Sequence, residues 1–281
     1  ALILEGGTVQ ITGTLWLNGA GGGERFYFAG GDVTGTVLAE SADVGFADPG
    51  RAEGDVAVEI NRSCTLGTDI PAGAVITVRG NSSTGSATLS SATGFENHGE
   101  LVMTSSASGY SATIRLDEGT LANGPGGTLE VAAGAGGGRT LAGTVSNAGT
   151  WLVRTDLILG NAGGTYVNEG LLTVAPGKTL EVESGNQMFH QAGGTLDIQG
   201  AFLFDGDGSG ETFEYTGGTI DGIPSLESVT LQLGPDCNAA EFRMTRTCIL
   251  ASDIPAPVTV RVEANSATSS AVLRAEGGFE N

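Results

Sequence analysis

Alternating oxygen-bearing side chains single out one loop for cation chemistry. Asp205-Gly-Asp207-Gly-Ser209-Gly210-Glu211 follows the D-x-D-x-S-G spacing, in which ligands converge on a hard ion and glycine permits the sharp turn. On this reading Asp205, Asp207, Ser209 and Glu211 hold calcium. The twelfth position, however, is Thr216 where a bidentate glutamate belongs, and the internally equivalent loop carries Asn18, Ala20 and Gly22. Calcium is therefore not a shared requirement of the two loops, and an acidic glycine-rich turn is the alternative. Glu181 and Glu183 stand about 7 Å apart on one strand face, a separation glycosidases use for an acid and a base. Their alternation with Leu180 and Val182 assigns them instead to a solvated outer face. A lyase would need a basic proton acceptor among its carboxylates. The single lysine, Lys178, sits in a Pro-Gly-Lys turn and no arginine clusters with acids, so no enzyme activity is expected.

Other reactive residue types are equally sparse. Trp16 and Tyr27 alternate with Leu15, Leu17, Phe26 and Phe28, which places both aromatics outside as sugar platforms, whereas Trp151 reads as core. His98 and His190 are turn residues without the spacing of a metal site or triad. Cys64 and Cys248 occupy equivalent positions in a repeat and read as small core residues; Cys237 has no counterpart, and a Cys237–Cys248 disulfide is the expectation for a secreted chain.

Composition narrows the class. Of 281 residues 48 are glycine and 8 proline, with 40 % apolar residues. Glycine at that density opposes helices, and it lacks the period and proline of collagen. Regularly recurring Val, Ile, Leu and Phe oppose disorder. A net charge of −20, from 32 acidic and 12 basic groups, repels phosphate backbones and anionic lipid, so neither nucleic acid nor membrane insertion is expected.

Self-comparison then decides the architecture. Residues 62–97 align without a gap on 246–281 with 18 of 36 identical, and 6–41 align on 193–228 with 15 of 36 identical. One long unit thus recurs, 6–97 matching 193–281, within an expected single continuous domain spanning 1–281. A shorter beat runs inside it. The pattern Φ-x-Asn-x-Gly-x-Φ recurs at Asn97, Asn147 and Asn168, and with two extra residues at Asn123; Gly-Gly pairs keep time where the asparagine is missing. Alternation either side of an Asn/Gly corner means strand, bend, strand. A beat of 21–26 residues is one turn of a stack, giving roughly 12 coils of an all-β, right-handed parallel β-helix. The four asparagines form a corner ladder, bonding the backbone and one another.

The strings GGTVQITGTLWLNG, NEGLLTVAPGKTLEVESG and NAGTWLV resemble the coils of right-handed parallel β-helix bacterial surface proteins of the autotransporter-passenger and filamentous-adhesin type. The likeness is weakest at 42–62 and 224–246. It implies an extracellular or cell-surface structural protein, a segment of a longer tandem-repeat fibre or stalk, with itself, further repeats or surface glycans as partners. Uncapped first and last coils would favour end-to-end assembly. The alternative is a carbohydrate-binding or carbohydrate-cleaving β-helix.

Overall fold

A computed structural model of the chain describes residues 1–19, 23–47, 54–264 and 270–275. The chain parts into two compact units, Ala1–Gly143 and Thr144–Asn281. Among the described residues every regular element is a β-strand, and no helix is long and apolar enough to cross a membrane.

Each unit is a parallel β-solenoid. In the first, Ala87–Ser91, Gly94–Asn97 and Glu100–Ser105 make one turn, and they pair in parallel with Ala112–Leu116, Thr120–Asn123 and Thr128–Val131 of the next. In the second, Leu157–Leu159, Thr165–Asn168 and Leu171–Val174 lie parallel to Thr179–Val182, Met188–Gln191 and Thr195–Ile198. Full turns therefore carry three strands. Within each strand burial alternates, as in Arg139–Asn147, because period-two side chains face the core and solvent in turn.

The turns number about 11, one fewer than expected, and they vary more in length than the asparagine beat suggested. Phe26 stacks on Val44 across a short turn, whereas Glu100 stacks on Thr128 across a much longer one. The stretches where the likeness is weakest keep the stacking through short turns, the second of them laying Leu231 on Phe213. A short connection removes the corner glycines that made other turns visible, while the inward hydrophobics remain. Residues 48–53 of the first such stretch lie outside the described residues.

The long repeat is reproduced in register. Trp16 pairs with Leu38 as Leu203 does with Ser225, and Leu38 with Glu59 as Ser225 does with Arg243. Ser41 and Ser228, equivalent residues, share a φ of 54°. Residues 276–281, the end of the second copy, lie outside the described residues.

Cores differ in character. Val58, Ile76, Leu101 and Met103 fill much of the first unit. In the second, Phe213 packs against Phe189, Phe202 and Phe242 with ring centroids 5.3, 5.7 and 5.4 Å away.

Candidate functional site

The asparagine ladder is internal. Asn97, Asn123, Asn147 and Asn168 end strands with their side chains buried. In the first unit Asn97 Nδ2 donates to Asn123 Oδ1 at 2.8 Å and to the Thr128 carbonyl at 3.0 Å. In the second Asn147 donates to Asn168 Oδ1 at 2.8 Å, and Asn168 to Gln191 Oε1 at 2.9 Å. Tyr215 pairs with Gln191 in register, and its hydroxyl donates to the Gly218 carbonyl at 3.0 Å. Gln191 and Tyr215 extend the row unforeseen. Their signal was present as Phe189-x-Gln191-x-Gly193 and Phe213-x-Tyr215-x-Gly217, the asparagine pattern with another polar residue in the slot. Below Asn97 the stacked residue is Ile70, which leaves the Asn97 Oδ1 without a donor.

Asparagine and glycine tolerate positive φ, but that is not why they stand at this corner. None of the four asparagines has positive φ, nor do Gly99 and Gly170. A Cβ on Gly170 would stand 2.2 Å from the Gly149 carbonyl oxygen, and one on Gly99 2.3 Å from that of Ala74. Close approach of successive turns excludes a side chain here, while the amides satisfy carbonyls that bending removes from the sheet ladder. Asn186, outside the ladder, does adopt φ 58°.

The acidic loop is knitted to itself. Glu211 is buried, and its carboxylate accepts N–H groups of Gly185, Asn186 and Gly208 at 2.9–3.1 Å and the Ser209 hydroxyl at 2.8 Å. Burial raises its pKa, but these donors outweigh burial and pull it down to about 2. Asp207 accepts the Ser209 N–H at 2.9 Å. Asp205 points elsewhere: it pairs in register with Glu227, and its charge acts on Glu181, which lies on the neighbouring row with Leu203. Burial, then the charges of Asp205 and Glu183, raise the Glu181 pKa. A depression of about 410 Å³ joins Asp207 and Glu211 to Arg274 but does not include Asp205. Among the described residues no three ligating side chains of His, Cys, Asp or Glu gather around a metal position.

The cysteines correct the disulfide expectation. All three are free and buried. Cys237 Sγ donates to the Tyr215 carbonyl at 2.9 Å, whereas Cys248 Sγ donates to the Thr245 carbonyl at 3.2 Å. Cys237 lies in the connection between Thr230–Leu233 and Ala240–Leu250, whereas Cys248 lies within the latter strand, and burial raises the pKa of both thiols. Near neighbours in sequence are therefore separated by the winding of the chain.

No known protein family, curated protein or solved structure matches the chain.

The outer aromatics are exposed as expected, Trp16 by 56 % and Tyr27 by 36 %, but they lie on different sheets. Tyr27 covers Gly45, its register partner, in a depression of about 360 Å³. Polar neighbours there are already engaged, Arg25 with Asp43 at 3.3 Å and Thr68 with the Phe46 N–H at 2.8 Å. Trp16 overlooks a larger groove of about 660 Å³ containing two ion pairs, Arg62–Glu40 at 3.5 Å and Arg79–Glu59 at 3.0 Å. His98 contacts Glu96 at 3.0 Å, and His190 contacts Thr216 at 2.6 Å, both outside this groove. Buried Arg139 went unnoticed in the sequence; its Nη1 donates to the carbonyls of Gly136, Gly137 and Gly138, closing a glycine-rich loop.

Proposed function

We propose that the chain is a structural segment of an acidic extracellular or cell-surface β-solenoid, continued by further copies of its long repeat into a fibre or stalk. The observation that carries this reading is an ion pair retained with its polarity reversed. Glu59 and Arg79 bridge successive turns at 3.0 Å in the first copy; the equivalent residues, Arg243 and Glu263, bridge at 3.4 Å in the second. A binding or reacting centre requires particular groups at particular places, whereas a staple between turns requires only opposite charges in contact. Arg62–Glu40 recurs as Arg246–Glu227. Inward residues keep their character as well: Phe26 matches Phe213, Phe28 matches Tyr215, and Cys64 matches Cys248, all buried.

Stacking of this kind is open-ended, because each turn offers the next a ladder and an apolar surface. Electron microscopy of the native full-length protein tests the proposal. Filaments with a longitudinal repeat near eight turns, about 37 Å at the spacing of stacked strands, are expected. Discrete compact particles would overturn it.

A further inference from the structure

Beyond that structural role, we infer that the groove beside Trp16 binds a hydroxyl-rich, uncharged saccharide. The groove is made by four successive strand ends. Leu15–Asn18, Thr36–Glu40, Val56–Ile60 and Ala74–Gly80 lie in parallel, and their pairing sets Trp16, Leu38 and Glu59 in one outward row. Beyond the last strand, Asn81 and Gly85 exchange backbone hydrogen bonds at 2.9 Å, and Asn81 Oδ1 accepts the Ser83 and Thr84 N–H groups. That tight loop supplies a wall, and the indole of Trp16 supplies a platform.

Two observations point to a ligand. Asn61 lines the groove and is only 5 % exposed, yet its Oδ1 accepts no hydrogen bond. A buried polar atom left unpaired is a standing penalty, relieved by a donor arriving from outside. The Thr84 hydroxyl, on the loop wall, is likewise buried and unpartnered. The volume, about 660 Å³, falls within the range of small-molecule sites, roughly 300–1,000 Å³.

The lining selects the class. Two guanidiniums are matched by two carboxylates, so the groove carries no net charge to recruit an anion. Paired this way, the partly exposed guanidiniums of Arg62 and Arg79 still present outward N–H donors, held in fixed positions by the covered carboxylates of Glu40 and Glu59, as vicinal hydroxyls require. An exposed indole face suits the C–H face of a sugar ring. Strand addition by a peptide would be confined to Leu15–Asn18, the outer strand of this sheet, because Thr36–Glu40, Val56–Ile60 and Ala74–Gly80 are each paired on both sides. The second copy provides an internal contrast: Leu203 replaces Trp16 and Thr245 replaces Asn61.

Calorimetric titration of the whole chain with cellohexaose, chitohexaose and maltohexaose at millimolar concentration tests the inference. At least one should bind saturably, and Trp16→Ala should weaken it at least tenfold while Tyr27→Ala leaves it unchanged. The unsubstituted chain gives a second readout. Trp151 is buried, so acrylamide quenching reports Trp16, and the bound saccharide should shield it. Saturable binding to none of the three, or binding indifferent to Trp16→Ala with no shielding, overturns the inference. Filament formation is unaffected by either result, so failure here leaves the fibre proposal standing and the reverse also holds.

Discussion

The two copies of the long repeat pair their strands in the same register but dress their outer faces differently. Leu38 lies on Glu59 in the first as Ser225 lies on Arg243 in the second, and Phe26 on Val44 as Phe213 lies on Leu231. Outward, Trp16 gives way to Leu203 and Tyr27 to Glu214. Stacking fixes inward volume and corner geometry, because each turn is sealed only by its neighbours. Nothing in stacking fixes an outward residue beyond its contact with the next turn. Specificity, where this chain has any, belongs to a single copy.

The comparison is tested most severely in the core. Phe26→Ala and Phe213→Ala remove equivalent, fully buried rings, and each should destabilise the whole chain by about 3–5 kcal/mol in chemical unfolding. Phe213 also packs against three other rings, so its loss should be the larger, by about 1 kcal/mol. Equal costs would show that the aromatic cluster of the second unit adds nothing beyond buried area.

A smaller effect separates Glu211 from its counterpart Glu24. Glu211 has four donors, while the Glu24 Oε2 has no partner among the described residues. Because the folded-state pKa of Glu211 is depressed to about 2 from an ordinary 4.5, its contribution is complete above pH 4.5 and disappears as pH falls toward 2. Glu211→Gln should therefore cost on the order of 2–3 kcal/mol at pH 7 and almost nothing at pH 2. Glu24→Gln should be near neutral at both. A pH-independent loss at Glu211 would assign its effect to packing.

How much of this was legible beforehand depends on whether a residue's role was local. Alternating hydrophobics and the Φ-x-Asn-x-Gly corners report strands and bends directly, so the stack and the corner ladder of Asn97, Asn123, Asn147 and Asn168 could be read from them, though not the burial of those amides. The shortest turns lacked that corner and broke the beat, though Val44 and Leu231 still mark their inward positions. The sites fared worse because each depends on which turns meet. Glu211 looked like a cation ligand, but its donors Gly185 and Asn186 come from a full turn earlier. Trp16 was recognised as exposed, whereas its groove is built from Glu40, Asn61 and Arg79, spread over three further turns. Cys237 and Cys248 looked close because sequence distance was all there was to judge by.

The finest test concerns the reversed ion pair. Glu59 is largely covered and Arg79 partly exposed, so Glu59→Arg or Arg79→Glu alone replaces attraction across the turn with repulsion. Each should cost about 1 kcal/mol, and less in molar salt, because screening reaches exposed charges. The double variant E59R/R79E recreates the arrangement the second copy already has in Arg243 and Glu263. Its stability should return to within about 0.5 kcal/mol of the parent, a coupling measurable in a double-mutant cycle. If the double variant is as unstable as the worse single one, the polarity matters to something besides the neighbouring turn. The groove beside Trp16 is then the place to look, since both residues line it and the second copy has no such platform.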